Sequence, residues 1–447
     1  MSRLHSAGAL VALGAVGLSA CHAQPTVRRS AQMGPDPQLP AANQPFIPSI
    51  HIAPADGWPA GRTPTAAPGL QVAAFAEGLD HPRWVYVLPN GDVLVAESNG
   101  PPEPIKRPKD LVLHAVVKAA GAAVPSANRI TLLRDVNGDG VADTRTVFLS
   151  GLHSPFGMTL VGADLYVADT DALLRFPYTP GETSIRGPGV KVADLPAGPI
   201  DHHWTKNVLA SRDGTKLYVT VGSNSNVGEN GLEAETGRAR ILEVDRQSGA
   251  MRPLATGLRN PNGMAFEPAT GALWVVVNER DELGDNLVPD YLTSVKDGGF
   301  YGWPYSYWGR NVDRRVEPQR PELVARAIKP DYGLSSHVAP LGLTFYDSAA
   351  LPGYRRGAFI GEHGSWDRQR LNGYEVVFVP FSGGRPSGPP RDVLTGFLSA
   401  GGHAYGRPVG VTVDRAGALL VADDVGDRIW RVTAATPSRQ TLALGAP

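Results

Sequence analysis

The sequence of 447 residues contains one cysteine, Cys21, and has no large excess of either charge. A single cysteine excludes a disulfide framework, a thiolate metal cluster and the C-x-x-C-H motif that attaches haem. The 42 lysines and arginines nearly balance the 43 aspartates and glutamates, which gives a net charge of -1. A nucleic-acid-binding surface needs a basic excess, so we expect no nucleic-acid partner.

Several common cofactor and hydrolase motifs are also missing from the sequence. There is no glycine-rich turn between a predicted strand and a helix, no P-loop and no G-x-S-x-G nucleophile turn. No long apolar segment repeats every 3.6 residues, so we expect little helix. These absences argue against a Rossmann site for a nicotinamide or a flavin.

The one cysteine follows an apolar run at the N-terminus. Arg3 precedes apolar residues 7–18, and Ser19 and Ala20 then lead to Cys21. The run is too short to span a bilayer and is typical of a signal peptide. We predict a bacterial lipoprotein signal over residues 1–20, with lipid on Cys21 that anchors the protein to a membrane on the periplasmic or cell-surface side. The alternative is an ordinary signal peptide with an incidental cysteine.

The rest of the chain divides by composition into three parts. Residues 21–68 are rich in proline, alanine and glutamine without periodicity, which predicts an extended tether in which Trp58 is a candidate for docking. Residues 69–435 carry repeated strand patterns, and residues 436–447 form a C-terminal tail. The 52 glycines and 40 prolines suit many short strands separated by turns.

One apolar phrase containing proline and glycine recurs six times, and each copy continues through a turn into a stretch such as Leu-Val-Ala-Asp. The copies begin at Gly78, Gly151, His202, Gly257, His337 and Tyr405, and the fifth is the loosest match. Repeats made of strands and turns are typical of a β-propeller. The sequence therefore predicts an all-β fold, a six-bladed β-propeller of four-stranded antiparallel blades, with function in the loops around the central channel.

The residues just before each innermost predicted strand should face that channel. They are mostly basic or imidazole side chains: His153, His202, His203, Arg259, Asn260, His337 and Arg407. A channel mouth lined in this way suits a ligand with several carboxylates, because arginine binds carboxylates bidentately.

Two adjacent histidines in the third copy are candidates for a general base. A neutral imidazole accepts a proton near neutral pH, although a single histidine is more often structural. We place both on a strand, where neighbouring side chains point to opposite faces, so only one of His202 and His203 can face the channel. Spacing alone does not choose between them.

Two acidic segments are candidates for Ca²⁺. Residues 278–290 form the most acidic stretch near a predicted strand end, and a flexible loop with many oxygen atoms suits a hard cation. Solvated loop charge explains this stretch equally well. Residues 135–143 begin like an EF-hand loop, but Thr146 stands where the bidentate glutamate is needed. We favour a turn between outer strands there, with or without a weak peripheral Ca²⁺ site.

Six segments together resemble the soluble quinoprotein sugar dehydrogenases, closest to the sorbosone dehydrogenase branch. In the family's order, they are residues 203–207, 221–226, 257–263, 278–283, 298–304 and 363–368. The resemblance covers residues 69–432 and implies a six-bladed propeller that binds pyrroloquinoline quinone (PQQ) and Ca²⁺ at its mouth.

By position, the resemblance makes His203 the catalytic base of such an enzyme. It assigns contacts with the cofactor to five further residues, Arg259, Asn260, Arg368, Arg370 and Arg407, of which Arg368 and Arg370 are alternatives near the family's cofactor-binding lysine.

The same alignment contains departures from the family. His153, also placed at the cofactor, stands where the glucose enzymes have glutamine, and Tyr405 stands where some members have a second arginine. Asp281 and Glu282 align with residues whose backbone carbonyls hold the active-site Ca²⁺, in a loop that is longer here.

The implied reaction is oxidation of a sugar, an aldose or a related alcohol or aldehyde by hydride transfer to PQQ, with His203 removing the hydroxyl proton and Ca²⁺ polarising the quinone. Because the chain has no haem motif, the electrons would pass to an external acceptor such as a quinone or a cytochrome. Two other classes stay open: a Ca²⁺-dependent propeller hydrolase such as a lactonase, and a non-catalytic lipoprotein that binds a small ligand.

Overall fold

The computed structural model describes residues 27–44, 50–102, 115 and 117–436. Cys21 and the predicted signal peptide lie outside the described residues, so the lipid anchor stays a prediction, as do the domain boundaries. Six antiparallel sheets with four strands each form the blades of a propeller, which confirms the fold predicted from the repeats.

The first three blades follow one another along the chain, each numbered from the channel outwards. Blade 1 contains β4 (Pro82–Val87), β5 (Val93–Glu97), β6 (Arg129–Arg134) and β7 (Thr144–Ser150). Blade 2 contains β8 (Met158–Val161), β9 (Asp164–Ala168), β10 (Ala172–Pro177) and β11 (Val190–Asp194). Blade 3 contains β12 (Val208–Ala210), β13 (Lys216–Val221), β14 (Arg240–Asp245) and β15 (Met251–Thr256), and β19 (Gly299–Phe300) pairs in parallel with β15.

The other three blades complete the ring. Blade 4 contains β16 (Asn260–Phe266), β17 (Leu273–Asn278), β18 (Pro289–Ser294) and β22 (Tyr332–Ser336). Blade 5 contains β23 (Pro340–Tyr346), β24 (Gly357–Glu362), β25 (Glu375–Ser382) and β27 (Arg391–Thr395), and β26 (Arg385–Pro386) pairs with β25. Blade 6 contains β28 (Pro408–Val413), β29 (Leu419–Asp423), β30 (Arg428–Ala434) and β3 (Leu70–Glu77).

Each copy of the repeated phrase supplies the first two strands of one blade. The second strands are buried on both faces, as in β5 and β29, because each blade is covered by its two neighbours. The outermost strand β3 instead alternates between buried and exposed residues, as a half-covered strand should. The hydrophobic core therefore lies between adjacent blades.

The glycine of the repeated phrase permits the close approach of neighbouring innermost strands. A Cβ atom added to Gly263 on β16 would lie 2.7 Å from the carbonyl oxygen of Leu341 and 2.7 Å from the amide nitrogen of Leu343, both on β23. No side chain fits at that distance, so the sequence needs glycine at this point of the ring.

The ring closes because the two ends of the propeller share one blade. Strand β3 pairs antiparallel with β30, with Leu70 opposite Ala434 and Glu77 opposite Arg428. The N-terminal strand is thus the outermost strand of the blade whose other three strands come last in the chain.

The described part of the predicted tether lies against the propeller. Strand β1 (Met33–Gly34) adds to the outer edge of blade 4 and β2 (Thr65–Ala66) to that of blade 5. Trp58 is 9% exposed and donates from Nε1 to Asp423 Oδ2 at 2.6 Å. Its ring packs against Phe397, Tyr405 and Trp430.

Helical and irregular segments connect the strands. A 3₁₀ turn spans Arg29–Gln32, another spans Leu232–Glu235, and α1 is a single turn at Pro321–Val324. A small hairpin of β20 (Ser306–Tyr307) and β21 (Asn311–Val312) lies in the connection between β19 and β22. The acidic segment 135–143 lies between the outer strands β6 and β7. In the described part of the chain, no helix has the length and hydropathy needed to cross a membrane.

Candidate active site at the channel mouth

Antiparallel pairing brings two sets of loops to the same face of the propeller. The first strand of a blade begins where the second strand ends: Asn260 pairs with Asn278, and Pro408 pairs with Asp423. Residues that precede a first strand and residues that follow a second strand therefore meet at one end of the channel, which we call the mouth. The site residues predicted from the sequence belong to the loops of this face, except Asn260, which begins β16.

His203 has a defined tautomer at the mouth. Its Nδ1 atom lies 2.8 Å from the carbonyl oxygen of Ser223 and 3.1 Å from Ser223 Oγ. A carbonyl oxygen only accepts hydrogen bonds, so the neutral ring carries its proton on Nδ1. The lone pair is then on Nε2, which is the atom that can take a proton from a substrate.

Electrostatics keep this ring neutral. Burial, together with the neighbouring His202 and Arg259, holds the pKa of His203 well below its usual range. A group that accepts a proton must first be unprotonated, and the lowered pKa keeps the His203 ring unprotonated even at mildly acidic pH.

The prediction that His202 and His203 lie on a strand and face opposite ways is wrong. Both residues lie in the loop before β12, and their ring centroids are 4.6 Å apart with the planes at 76°. The backbone φ of 41° at Asp201 places the chain in the left-handed region just before the pair, so the alternation of an extended strand does not apply. His202 is the more exposed ring of the two.

Arg259 is buried and connects two loops of the mouth. Its guanidinium donates to the carbonyl oxygens of Asn226 at 3.2 Å and Glu279 at 2.6 Å, and to Asp281 Oδ2 at 2.7 Å. With 2% exposure, it fixes the acidic loop after β17 to the loop after β13. Its role in this structure is to hold those loops together.

Asn260 lies beside His203. A Cβ atom on Gly222 would stand 2.5 Å from Asn260 Oδ1 and 2.5 Å from His203 Cβ, so the amide and the imidazole flank the same glycine. Asn260 Oδ1 is buried without a hydrogen-bond partner. An unsatisfied acceptor next to the base is available to a ligand hydroxyl or to water.

Asp281, His337 and Asp367 form a compact cluster that could hold a cation. One ligand atom from each residue lies within 4.8 Å of the others, and all three residues are buried. His337 Nδ1 lies 3.1 Å from Asp281 Oδ1. Burial disfavours the charged ring, but Asp281, Asp367 and Asp290 outweigh it and raise the pKa of His337 to about 9. The charged imidazole thus offsets the charge of one carboxylate, and Arg259 also pairs with Asp281.

The carbonyl and side-chain oxygens of the predicted metal residues have different environments. The backbone carbonyl of Asp281 accepts hydrogen bonds from Asn226 Nδ2 at 3.1 Å and from Arg280. The Glu282 side chain points away to Arg315, with Oε2 to Nη1 at 2.9 Å, while its backbone nitrogen donates to Asp367 Oδ2 at 2.5 Å. Only the side chain of Asp281 joins the cluster.

A second cluster at the mouth consists of basic side chains around one carboxylate. Asp424 Oδ2 accepts from Arg83 and from His363 Nε2, the latter at 2.8 Å, and lies 3.6 Å from His81 Nε2. Burial opposes ionisation of Asp424, but His363, His81 and Arg83 hold its pKa far below the usual range. Burial lowers the pKa of His81 to about 4. We call these residues and Arg407 the basic cluster.

Arg407 belongs to this cluster by charge and by position. Its Nη2 donates to the carbonyl oxygen of Ala53 at 2.9 Å, and its guanidinium carbon lies 5.1 Å from the centre of the Tyr374 ring. Its Nε is buried without a partner, as is Nε of Arg83. The cluster therefore keeps hydrogen-bond donors that the described protein atoms do not satisfy.

The other predicted cofactor residues have partners outside this cluster. Arg368 donates to the carbonyl of Ser336 at 3.3 Å and to Asn286 Oδ1 at 3.4 Å, and its Nε has no partner. Arg370 is exposed. His153 forms a half-exposed pair with Asp171, Nδ1 to Oδ1 at 3.1 Å. The structure therefore brings Asn260 to His203, ties Arg259 to Asp281, and leaves Arg370 and His153 at the rim.

Comparison with known proteins decides the family. The family model described as glucose/sorbosone dehydrogenase matches residues 79–373, and a model described as TrAA12-like matches residues 322–435. The first match spans well over half of the chain. The chain belongs to the glucose/sorbosone dehydrogenase family. This confirms the resemblance seen in the six sequence segments.

Two curated proteins illustrate the family relationship. The chain is 33% identical over 118 residues to the aldose sugar dehydrogenase YliI of Escherichia coli, which covers 26% of this chain and 30% of that protein. It is 25% identical over 357 residues to a pyrroloquinoline quinone-dependent pyranose dehydrogenase of Coprinopsis cinerea, which covers 70% of this chain and 44% of that protein. The chain thus spans less than half the length of either of these two relatives.

A solved structure supports the fold of this family member. The holo form of the pyranose dehydrogenase PQQ domain from Coprinopsis cinerea superposes with a TM-score of 0.68 at 21% identity, covering 86% of this chain and 100% of that one. At this identity the likeness concerns the propeller itself.

Sequence reasoning missed several residues of this family member's mouth. His81 comes directly before the first strand of blade 1, so its position in the first copy of the repeat could have identified it. Asp424 and His363 each come directly after a second strand, which is the other set of positions that reaches the mouth. Asp367 had no such signal, because only the path of the loop after β24 brings it to Asp281.

Proposed function

We propose that this chain is a PQQ-dependent dehydrogenase that oxidises a sugar, an aldose or a related alcohol. The observation that carries the proposal is the geometry of His203, whose Nδ1 is bonded to a carbonyl oxygen and whose Nε2 is left as an acceptor. A base with that tautomer stands on the same face as the basic cluster and the Asp281 cluster, in a chain of the glucose/sorbosone dehydrogenase family.

The residues of the mouth fit a cofactor with several carboxylates. Arg83 and Arg407 are each under a tenth exposed, and Nε of both is buried without a partner. Three basic side chains face Asp424, and Arg407 lies close enough to His363 to affect its pKa, so the cluster carries more donors than its one carboxylate can accept. Unpaired buried donors are costly, and an anionic ligand would satisfy them.

The Asp281 cluster fits a hard cation through its carboxylates. Ca²⁺ prefers oxygen ligands, and Asp281 and Asp367 offer side-chain oxygens within one small space. The backbone carbonyl of Asp281 already accepts two hydrogen bonds and its Oδ2 accepts one from Arg259, so Oδ1, which now contacts His337, is the oxygen that would face the ion. We therefore propose that the side chains of Asp281 and Asp367, with His337 beside them, hold Ca²⁺ in this chain.

PQQ, when bound, supplies the two-electron acceptor for the oxidation. The residues of this chain bind and orient the reactants and move the proton. His203 Nε2 accepts the proton of the substrate hydroxyl, while the Nδ1 hydrogen bond to Ser223 keeps the ring in the required tautomer and orientation. Asn260 Oδ1 is free to accept a hydrogen bond beside that reacting hydroxyl. Arg407 and Arg83 hold carboxylates at the basic cluster.

The partners follow from this proposal. The substrate is a small sugar or alcohol, and an external electron acceptor reoxidises the enzyme. Lipid on Cys21 would hold the protein at a bacterial membrane on the periplasmic or cell-surface side, a proposal that rests on the N-terminal sequence.

The test is reconstitution of the purified chain with PQQ and Ca²⁺, followed by dye reduction with aldoses, sorbosone and simple alcohols. We expect turnover in the parent, and a loss of about 10²–10⁴-fold in His203→Ala at full cofactor occupancy measured by absorbance. The matched control is His403→Ala, an exposed histidine bonded to Asp56, which should keep parent activity. Full turnover of His203→Ala would refute the mechanism. A parent that binds PQQ without oxidising any of these substrates, or hydrolyses lactones instead, would favour the other two classes.

A further inference from the structure

The loop formed by residues 223–226 touches both reactive parts of the mouth. At one end, the carbonyl oxygen of Ser223 fixes the tautomer of His203. At the other end, Asn226 forms two hydrogen bonds with the backbone of Asp281: its Oδ1 accepts from the nitrogen at 2.9 Å and its Nδ2 donates to the oxygen at 3.1 Å. A displacement of this loop would therefore disturb the base and the cation cluster together.

One buried carboxylate, that of Glu235, anchors the middle of this loop. Glu235 Oε2 accepts the backbone N–H of Asn224 at 2.7 Å, and Oε1 accepts the hydroxyl of Ser225. Glu235 is 9% exposed and ends the 3₁₀ turn Leu232–Glu235, whose Ala234 carbonyl also accepts from Asn224 Nδ2 at 2.9 Å.

The backbone of the loop is also held by Glu229, which accepts from the nitrogen of Asn226 at 3.0 Å, and by the carbonyl of Arg259, which accepts from the nitrogen of Ser223 at 2.8 Å. Two further bonds connect the Glu235 anchor to Ser223. The Ser223 hydroxyl donates to the carbonyl of Ser225 at 2.6 Å, and Ser225 Oγ accepts from the nitrogen of Gly228 at 2.8 Å. The orientation of the Ser223 peptide, and hence of the carbonyl that faces His203, depends on where Asn224 and Ser225 are held.

We propose that Glu235 is a positioning residue for catalysis, which holds the 223–226 loop so that Ser223 sets the tautomer of His203 and Asn226 fixes the backbone of Asp281. It acts through these residues and does not itself contact the substrate. The expected loss of activity rests on the proposed function, but the expected change in the His203 tautomer does not.

The carboxylate is suited to this task because it offers two acceptor oxygens to two donors. Glutamine keeps one acceptor oxygen, and a serine hydroxyl can reverse its bond and accept from the amide nitrogen. Alanine removes both acceptors and leaves the Asn224 N–H and the Ser225 hydroxyl buried and unpaired, which is costly unless the loop moves. We therefore expect Glu235→Gln to preserve the site and Glu235→Ala to release the loop.

Glu267 provides a matched control. It is 5% exposed and accepts the backbone N–H groups of Ala269 at 3.1 Å and Thr270 at 2.7 Å and the Thr270 hydroxyl at 2.6 Å. This is the same kind of cap, but it lies in the turn between β16 and β17, at the end of the blade away from the mouth. Glu267→Ala should cost stability without touching the base.

The experiment records ¹⁵N chemical shifts of the histidine rings without cofactor. It compares the full-length parent with Glu235→Ala, Glu235→Gln and Glu267→Ala. The His203 signal is identified by its loss in His203→Ala. We expect the Nδ1–H tautomer in the parent, Glu235→Gln and Glu267→Ala, and a mixture of tautomers in Glu235→Ala. Ser225→Ala, which removes one of the two donors, gives a weaker shift in the same direction and replaces Glu235→Ala if that variant does not fold.

The holo protein supplies the second measurement. We expect Glu235→Ala to lower kcat and Ca²⁺ affinity together by about 10- to 100-fold, in the range typical of residues that support a reactive group or a metal ligand. Glu267→Ala should leave both at the parent values. An unchanged His203 tautomer in Glu235→Ala overturns the inference whatever the activity, whereas a parent without turnover overturns the proposed function and leaves the tautomer result standing.

Discussion

Two buried glutamates face each other in blade 5, and one arginine, Arg29, contacts both. Glu362 on β24 and Glu375 on β25 are directly opposite across the strand pair, at 1% and 6% exposure. Arg29 contacts both, with Nη2 to Glu362 Oε2 at 3.3 Å and a closer bond to Glu375. Burial and the neighbouring carboxylate raise the pKa of Glu362 well above its usual range, and burial also raises that of Glu375.

Replacing Arg29 with methionine should therefore destabilise the propeller in a pH-dependent way. Without the guanidinium, a buried carboxylate that the arginine had paired must be protonated, and protonating an ordinary glutamate of pKa about 4.3 costs about 1.4 kcal/mol per pH unit above that value. The upper limit on the loss of unfolding free energy is therefore about 4 kcal/mol at pH 7 and about 1 kcal/mol at pH 5. Because the Arg29 side chain is 35% exposed, solvent compensates in part, and we expect about 2–3 kcal/mol at pH 7.

The sign follows from linkage. Carboxyl groups with a raised pKa in the folded state bind more protons there than in the unfolded chain, so acidification towards pH 5 stabilises the variant relative to its value at neutral pH. The assay is urea unfolding of the parent and Arg29→Met at pH 5 and pH 7. Arg28→Met is the control, because Arg28 is exposed and should change stability little. A loss of stability that is equal at both pH values would refute this reasoning.

Three further changes test the mouth and the anchor. Arg407→Met, which keeps an aliphatic stem near Tyr374, should weaken PQQ binding about tenfold or more. Arg385→Met, at the exposed surface, should not. Equal PQQ affinities of the two variants in cofactor titrations would count against the basic cluster. Asp367→Asn should lower Ca²⁺ affinity in calorimetry about tenfold or more, and an unaltered affinity would place the ion elsewhere. Cys21→Ala should release the protein from membranes on fractionation, and mass spectrometry of the parent should find lipid on Cys21; an unmodified N-terminus at another residue would contradict the anchor.

The propeller could be predicted from the sequence because its periodicity is local. Each copy of the phrase contains the first two strands of a blade, the turn between them and the glycine that permits close packing, as Gly263 does against β23. Strand number and order follow from such signals. The closing strand β3 carries no such mark, because its partner β30 lies at the other end of the repeats.

Contacts within the site were only partly predictable, because they depend on loop paths. Strand pairing places the positions before each first strand at the mouth end of the blades. The orientation of His202 and His203 was derived from strand alternation, which the backbone at Asp201 interrupts. Pairings such as Asp281 with Asp367 join different blades. No spacing in the sequence encodes the distance between two such loops.

The pairing of β3 with β30 also sets a condition on biosynthesis. Strand β3 is the first blade strand to be made and waits for a partner that is synthesised almost a whole chain later. Until then it is an unpaired edge, the kind of segment that aggregates or is cleaved. A nonsense mutation between the Asp367 loop and Arg428 therefore removes the closure of the ring itself, and such a chain should be degraded although the sequences of the His203 and Asp281 loops are intact.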